Sequence, residues 1–332
     1  SKFTKLKNVM AVSSGTAALQ LAIDSLGISK GDEVIVPNLT FAAPINSLIH
    51  SGAKPVLVDI KEETLCIDED KIESAITKKT KAIIVVHLYG YPANMNRINE
   101  ICRKNKLLLI EDCAEALGSK YKGEHVGKFS DAATFSFFGN KTLTTGEGGI
   151  ISFKKKKNKE KALLLRDHGM SKKEKYWHLK IGYNFRMTNL QAAVGTAQFE
   201  RAQQLINDKI KIANLYNKLL KNIDGIRLIK NNKNIINTYW LYVIIFDGKM
   251  LRYRDKILNY LSINGIDSRK VFYPINKMPV FKYYCKQEKN LDISNSVASN
   301  ALCLPSSGVS EKEIKKVSSL IKKYVMGKND KR

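Results

Sequence analysis

The sequence predicts an α/β fold: a large, mostly parallel sheet covered by helices on both faces, followed by a smaller α+β part. Three observations carry this. Continuously apolar runs of strand length, such as residues 82–86, recur through the first third of the chain. They alternate with stretches of helical spacing, the βα pattern that builds parallel sheets buried on both faces. Beyond residue 131 the alternation gives way to a close pair of strands and then to longer helical segments.

In chain order, helical spacing over 16–26 is followed by a buried strand at 33–37, a helix at 41–50 and a strand at 55–60. A capped helix over 68–76, a strand at 82–87, a helix at 96–104 and a strand at 107–111 complete the alternating part. Strands at 134–138 and 150–153 flank a polar, glycine-rich turn, and 159–166 is helical. From 188 to about 222 the spacing reads as one very long helix or two abutting ones. Strands at 226–229, 241–246 and near Val271, a helix over 252–264 and an amphipathic helix over 311–325 make up the rest. No repeat and no Gly/Ser- or Pro-rich linker divides the chain. The expected division is a large unit over 1–210 and a small C-terminal unit over 211–332, joined through the long helical stretch. In such sheets ligands sit beyond the carboxyl ends of the strands, so chemistry is expected just after Pro37, His87, Asp112 and Phe138.

Composition excludes several classes. The 332 residues are 44% hydrophobic and 26% charged, unlike a disordered chain. Lys and Arg number 56 against 31 Asp and Glu, a formal charge of +25 that raises nucleic acid as a partner. Only 10 of those 56 are Arg, the residue suited to bidentate recognition of bases and phosphate. The lysine runs at 154–157 and 172–175 lack interleaved aromatics and read as solvated faces. No run approaches the ~18 apolar residues of a membrane helix. Neither nucleic acid nor a membrane is therefore expected as a partner. The chain opens at Ser1 with no signal-peptide pattern, and its five cysteines show no CxxC spacing. They read as reduced structural thiols of a cytoplasmic protein. The histidines show no HExxH spacing, so no metal is expected.

The most informative segment is FSFFGNKTLTTGEGG, residues 135–149. A lone loop lysine is normally a solvated charge, but Lys141 follows a buried strand among small and hydroxyl residues, a setting in which a lysine amine serves as nucleophile. In IEDCAEA (110–116), Asp112 ends a buried strand, from which a carboxylate could hold a pyridinium nitrogen protonated. In SSGTAA (13–18), Gly15, Thr16 and Ala17 open a helix whose N–H groups could bind phosphate. A lysine, an acid and a phosphate cradle are the parts of a pyridoxal 5′-phosphate site. The Gly15 turn is neither a Walker loop, since no Gly-Lys-Ser/Thr follows, nor a GxGxxG turn.

Over nearly its whole length the chain resembles the DegT/DnrJ/EryC1/StrS family of sugar aminotransferases, pyridoxal-phosphate enzymes of aspartate-aminotransferase fold (fold type I). The resemblance is carried by SSGTAAL (13–19), GDEVIVPNLTF (31–41), HLYGYP (87–92), IEDCAEALGSKYKG (110–123), FSFFGNKTLTTGEGG (135–149), YWHLKIGYNFRMTNLQAA (176–193) and VFYPINKMP (271–279).

The resemblance implies that Lys141 bonds covalently to the cofactor and that Asp112 partners its ring nitrogen. It places Phe41 as the aromatic stacked on that ring, and Thr16, Ala17 and Ser136 at phosphate-binding positions. Asn184 matches an asparagine that reaches the cofactor phosphate from the other subunit, which implies a homodimer with shared active sites. Glu115 falls near the cofactor O3′, where many relatives carry Gln; beside a phenolate it is expected to be protonated or turned toward a donor. His87, Arg269 and Tyr273 are expected on the substrate side, although Phe41, Ser136, Asn184 and His87 also have bland readings as core, strand-end, cap and structural residues. The implied substrates are L-glutamate as amino donor and a keto-deoxy sugar nucleotide aminated at C4 as acceptor. GDP is the expected nucleotide, with UDP or dTDP as alternatives.

Some relatives that replace the lysine by His are dehydratases, so Lys141 favours transamination. Members usually carry some three dozen residues before the point where this chain begins, including a stretch that helps close the site. Lys270 stands where close relatives have Pro, and Asn276 where they often have His. A catalytically impaired protein of this fold, binding without turnover, is the competing reading.

Overall fold

The computed structural model describes residues 2–230, 232–287 and 290–329. Its centre is an eight-stranded sheet in the spatial order Met10–Val12, Gly149–Phe153, Ala132–Ser136, Leu108–Asp112, Thr80–Val86, Glu33–Pro37, Lys54–Val58 and Lys286–Gln287. Gly149–Phe153 runs antiparallel to both of its neighbours, and the other pairings are parallel. Strand residues alternate between the two faces. Val34, Val36, Ile84 and Ile110 pack into one core with the helix Gly15–Leu26, the helix Ala43–His50 and Ala162. Ile35, Ile83, Val85 and Leu109 pack into another with Ile98 and Ile101 of the helix Met95–Asn105. The continuously apolar runs are thus strands covered on both sides.

A second, four-stranded sheet orders Ile226–Leu228, Tyr242–Phe246, Ala301–Leu304 and Arg269–Lys270, all neighbours antiparallel. It packs on the helices Ala202–Leu220, Arg254–Ile263 and Glu311–Asn329 through Tyr216, Ile257, Val317 and Ile321. The two sheets interlace. Lys286–Gln287, from the later part of the chain, extends the large sheet, and Ile235–Ile236 pairs with Lys120–Tyr121 in a small three-stranded sheet. A mixed core of Leu39, Val86, Tyr89, Trp240, Val243 and Val271 joins the large sheet to the second one.

Several elements differ from the sequence expectation. The stretch expected as a helix over 68–76 is a 3₁₀ turn, Glu69–Lys71, capped by Asp68 through the Asp70 N–H, and then one helical turn, Ile72–Ala75. The long helical stretch is two abutting helices, Asn189–Glu200 and Ala202–Leu220, because Arg201 leaves helical geometry at φ −102°, ψ 5°. Thr188 and Gln191 form a capping box at its start. The strand expected near Val271 is Arg269–Lys270. Met10–Val12, Asp292–Asn300 and Ala301–Leu304 were not foreseen; the two strands are too short to show alternation, and the helix is rich in Ser and Asn. Among the described residues no helix is long and apolar enough to cross a membrane.

Candidate active site

Beyond the carboxyl ends of Leu108–Asp112 and Ala132–Ser136 lies a cavity of about 380 Å³. Gly15, Thr16, Phe41, Asp112, Glu115, Ser136, Lys141 and Arg269 line it together, with Leu19, Ala43 and Val86 as apolar wall. A roomier groove of about 700 Å³, between Ala202–Leu220 and the start of Glu311–Asn329, also touches Lys141 but holds neither Asp112 nor the Gly15 turn. The convergent chemistry therefore belongs to the smaller cavity.

Each wall has a local cause. The Ser14 hydroxyl caps the helix Gly15–Leu26 by accepting from the Ala17 N–H at 3.0 Å. The preceding first-turn N–H groups, of Gly15 and Thr16, have no partner within the helix and present its positive end to the cavity. Ser136 faces this turn so closely that a Cβ on Gly15 would lie 2.8 Å from Ser136 Cβ. Lys141 sits in a turn that closes its N–H on the Phe138 carbonyl at 2.9 Å, and the rest of the loop is tied back by Phe137 to Gly148 and Thr145 to Phe137. Its amine lies 3.6 Å from Glu115 Oε1 and 3.8 Å from the centre of the Trp240 ring.

Asp112 is 5% exposed and accepts from the Ala114 N–H at 3.0 Å. Burial raises its carboxyl above the usual range, against the Ala114 bond and the nearby Lys141 charge, which lower it. Burial also pushes Glu115 up to about 7, although the Lys141 charge and the Tyr89 N–H at 2.8 Å both favour its carboxylate. A buried acid beside a cavity is a group that a cationic ring N–H would hold ionised. The Gly15 turn is a cradle that a Cβ would disturb. Lysine, acid and cradle in one cavity fit pyridoxal phosphate.

Three expected residues lie elsewhere. Ala17 is 2% exposed, and its N–H is already taken by Ser14. His87 is fully buried off the cavity wall: its Nδ1 accepts from the Ala93 N–H and its Nε2 meets Glu111 Oε1, both at 3.1 Å. Glu111 also accepts from the N–H groups of Gly127 and Phe129. Its proximity to Cys113 makes a compact His87–Glu111–Cys113 group. Those backbone contacts fasten the strand end and explain the cluster structurally. Tyr273 is 60% exposed, outside the cavity wall. Asn184, expected to serve the other subunit's site, is exposed and bridges to Asp167 at the base of a surface hairpin.

The cavity also contains residues the sequence did not single out: Thr40, Asn140, Glu147, Trp240 and Phe272. Phe272 sits inside the VFYPINKMP motif, one residue from Tyr273, so that signal was present. Trp240 adjoins an apolar strand and reads as core by composition alone.

A fold with a large mixed sheet, and a lysine, acid and helix N-terminus meeting beyond its strand ends, defines a pyridoxal-phosphate enzyme of the aspartate-aminotransferase type. The profile of the DegT/DnrJ/EryC1/StrS aminotransferase family matches residues 1–322. The GDP-perosamine synthase of Escherichia coli O157:H7 is 43% identical over 309 residues, covering 92% of this chain and 83% of that protein. The GDP-perosamine synthase of Vibrio cholerae is 39% identical over 325 residues, 98% of this chain and 88% of that one. Spr1654 of Streptococcus pneumoniae, solved in a PLP-form, superposes with a TM-score of 0.93 at 28% identity, over 98% of this chain and 89% of that one. The chain belongs to the DegT/DnrJ/EryC1/StrS aminotransferase family. It is a sugar aminotransferase of that family and uses pyridoxal 5′-phosphate.

Proposed function

We propose that this enzyme transfers the amino group of L-glutamate to C4 of GDP-4-keto-6-deoxymannose, giving GDP-perosamine for polysaccharide biosynthesis in the cytoplasm. The observation that carries the reading is the single cavity in which Lys141, Asp112, Ser136 and the Gly15 turn converge. The choice of sugar is supported by the two GDP-perosamine synthases at 39% and 43% identity.

Pyridoxal phosphate, when bound, supplies an electron sink for the charge left on the carbon that loses its proton. The chain's own groups do the rest. Gly15 and Thr16 N–H groups and the Ser136 hydroxyl hold the phosphate. Asp112 keeps a proton on the ring nitrogen, an electrostatic contribution fixed before reaction. Lys141 would hold the cofactor, and its amine is the group placed to carry the proton taken from the donor Cα; Glu115, 3.6 Å away, is an acid with which it can exchange that proton. Phe41 covers the ring, and Arg269 holds an anionic substrate group at the cavity wall. Leu19, Ala43 and Val86 keep that wall dry.

The proposed assembly is a homodimer. The helix Asn189–Glu200 buries none of its residues in the chain, with Leu190 83% exposed. The adjoining hairpin leaves Tyr176, Trp177, Leu179 and Ile181 exposed. So many large apolar side chains exposed on two consecutive segments support an interface there. A second copy covering it would bring Asn184 to a neighbouring cofactor site.

The test is a panel of 4-keto-6-deoxy sugar nucleotides with glutamate, read by product mass. The GDP-linked mannose derivative is expected to turn over fastest, and Lys141→Ala to abolish product. A preference for a UDP- or dTDP-linked sugar overturns the sugar assignment and leaves the aminotransferase reading in place.

A further inference from the structure

Trp240 lies outside every motif that carries the family resemblance, yet its ring touches the reacting amine. It is 2% exposed and stands just ahead of the strand Tyr242–Phe246, and Lys141 Nζ lies 3.8 Å from its centroid. An ammonium over an indole face is attracted by the ring's quadrupole, more strongly where water is excluded. The ring is fixed from several sides. Its Nε1–H donates to the Asn140 carbonyl at 2.8 Å, the residue just before Lys141. Its own carbonyl accepts from Lys209 Nζ at 3.0 Å, and Lys209 is further held by Ser307. Tyr89 stacks on it at 6.2 Å and 18° between planes. Arg269, from the same second sheet, brings its guanidinium to 5.5 Å of the same ring. Any buried tryptophan needs a partner for its N–H; what sets Trp240 apart is that the partner is the carbonyl just before Lys141 while the ring face meets the Lys141 amine itself.

We propose that Trp240 is a positioning residue for Lys141: whenever the amine is free of cofactor, the indole face holds it as a cation beside Glu115 at the cavity wall. The inference rests on the functional reading only for the identity of Lys141 as the reacting amine, since the contact itself belongs to the chain. It also ties the lysine to the second sheet, because Arg269 comes from that sheet and Trp240 from the segment leading into its strand Tyr242–Phe246, while Lys141 and Glu115 come from loops of the large sheet.

The test is a double-mutant cycle in the full-length, cofactor-free protein, with Trp240→Leu and Lys141→Met made singly and together and unfolding equilibria read from urea melts at one pH. A tryptophan that only fills space gives additive losses, whereas a direct contact between indole and amine makes the double variant lose less than the sum, by about three- to ten-fold in the unfolding constant. The same cycle with Trp240→Phe, which keeps a ring but loses the Asn140 bond, is expected to show a smaller coupling, about two-fold. Additive losses in both cycles, with wild-type circular dichroism, overturn the proposal. Should the Leu variants fail to fold, additivity in the Phe cycle overturns it alone. The functional reading is checked separately, by whether glutamate bleaches the cofactor band of the loaded wild-type protein.

Discussion

Lys141 Nζ stands 3.6 Å from Glu115 Oε1, and the other Glu115 oxygen takes the Tyr89 N–H at 2.8 Å. Tyr89 makes that bond from a left-handed backbone, φ 54°, which in a non-glycine residue costs on the order of 1 kcal/mol. The conformation is held at its far end as well, where the Tyr89 hydroxyl accepts from the Phe272 N–H at 2.9 Å. Tyr89, held at both ends, thus fixes the acid that faces the Lys141 amine.

The pH dependence follows from the same contact. Burial raises Glu115 from 4.5 to about 7, so between those values the folded chain keeps a proton that the unfolded chain releases. Stability must therefore fall as pH rises through that window, by roughly 3 kcal/mol from this group. Glu115→Gln removes the titration. In urea melts of the cofactor-free protein, the variant is expected to gain on wild type by about that amount between pH 4.5 and 7.5. Parallel curves for the two proteins would show that Glu115 does not retain its proton.

Lys209 gives the opposite slope at higher pH. Burial lowers its ammonium from 10.5 to about 8, so between those values the unfolded chain binds the extra proton and stability from this residue rises with pH. Lys209→Met removes that gain. Wild type is expected to gain roughly 3 kcal/mol on the variant between pH 8 and 10.5, read from urea midpoints at each pH. A constant difference across the range would mean that Lys209 is solvated in the folded protein.

Much of this was legible in the sequence, and its gaps have physical causes. The apolar runs around Ile35, Ile84 and Ile110 read as doubly covered strands because parallel sheets bury both faces. Lys141, Asp112 and Gly15 were visible because a strand end, a loop and a helix start each constrain residue type locally. His87 was not resolvable in this way: it ends a strand on the ligand side, yet its ring turns to Glu111 and Ala93, and no spacing reports rotamer direction. Trp240 was hidden because its partners, Lys141, Arg269 and Lys209, are far away in sequence. The same holds for Lys286–Gln287, whose place at the edge of the large sheet depends wholly on a tertiary pairing with Lys54–Val58.

Assembly is testable at the exposed helix. Leu190 projects 83% of its surface to solvent, on a helix with no buried residue. Leu190→Glu is expected to convert a two-copy species into a one-copy species in sedimentation at micromolar concentration, since a charge in an apolar interface is left unpaired. Asn184→Ala is expected to leave the mass unchanged and weaken cofactor binding by about ten-fold, the effect of one lost bond to a charged group. A single-copy wild-type protein would overturn both expectations.

The proposed phosphate cradle makes a sharper demand on Gly15. Its φ is not left-handed, so alanine is acceptable to the backbone there, and helix propensity even favours it. The obstacle is Ser136, whose Cβ and Oγ would lie 2.8 Å and 3.2 Å from the new methyl group. The strand carrying Ser136 is paired on both sides, so its backbone yields little. Turning the serine side chain moves Oγ but leaves Cβ in place, so the start of the helix must back away instead, which takes its N–H groups away from the Ser136 hydroxyl. Gly15→Ala is therefore expected to destabilise the cofactor-free protein by about 1 to 3 kcal/mol, the cost of overpacking, and to weaken pyridoxal phosphate binding by ten-fold or more, measured by absorbance titration. Ser136→Ala alone should lose a similar amount of binding. Because both changes break the joint grip of helix end and hydroxyl on one phosphate, the double variant should lose less than the sum of the two. Full additivity would mean that Gly15 and Ser136 act on different parts of the cofactor, and wild-type affinity in Gly15→Ala would place the phosphate away from this helix.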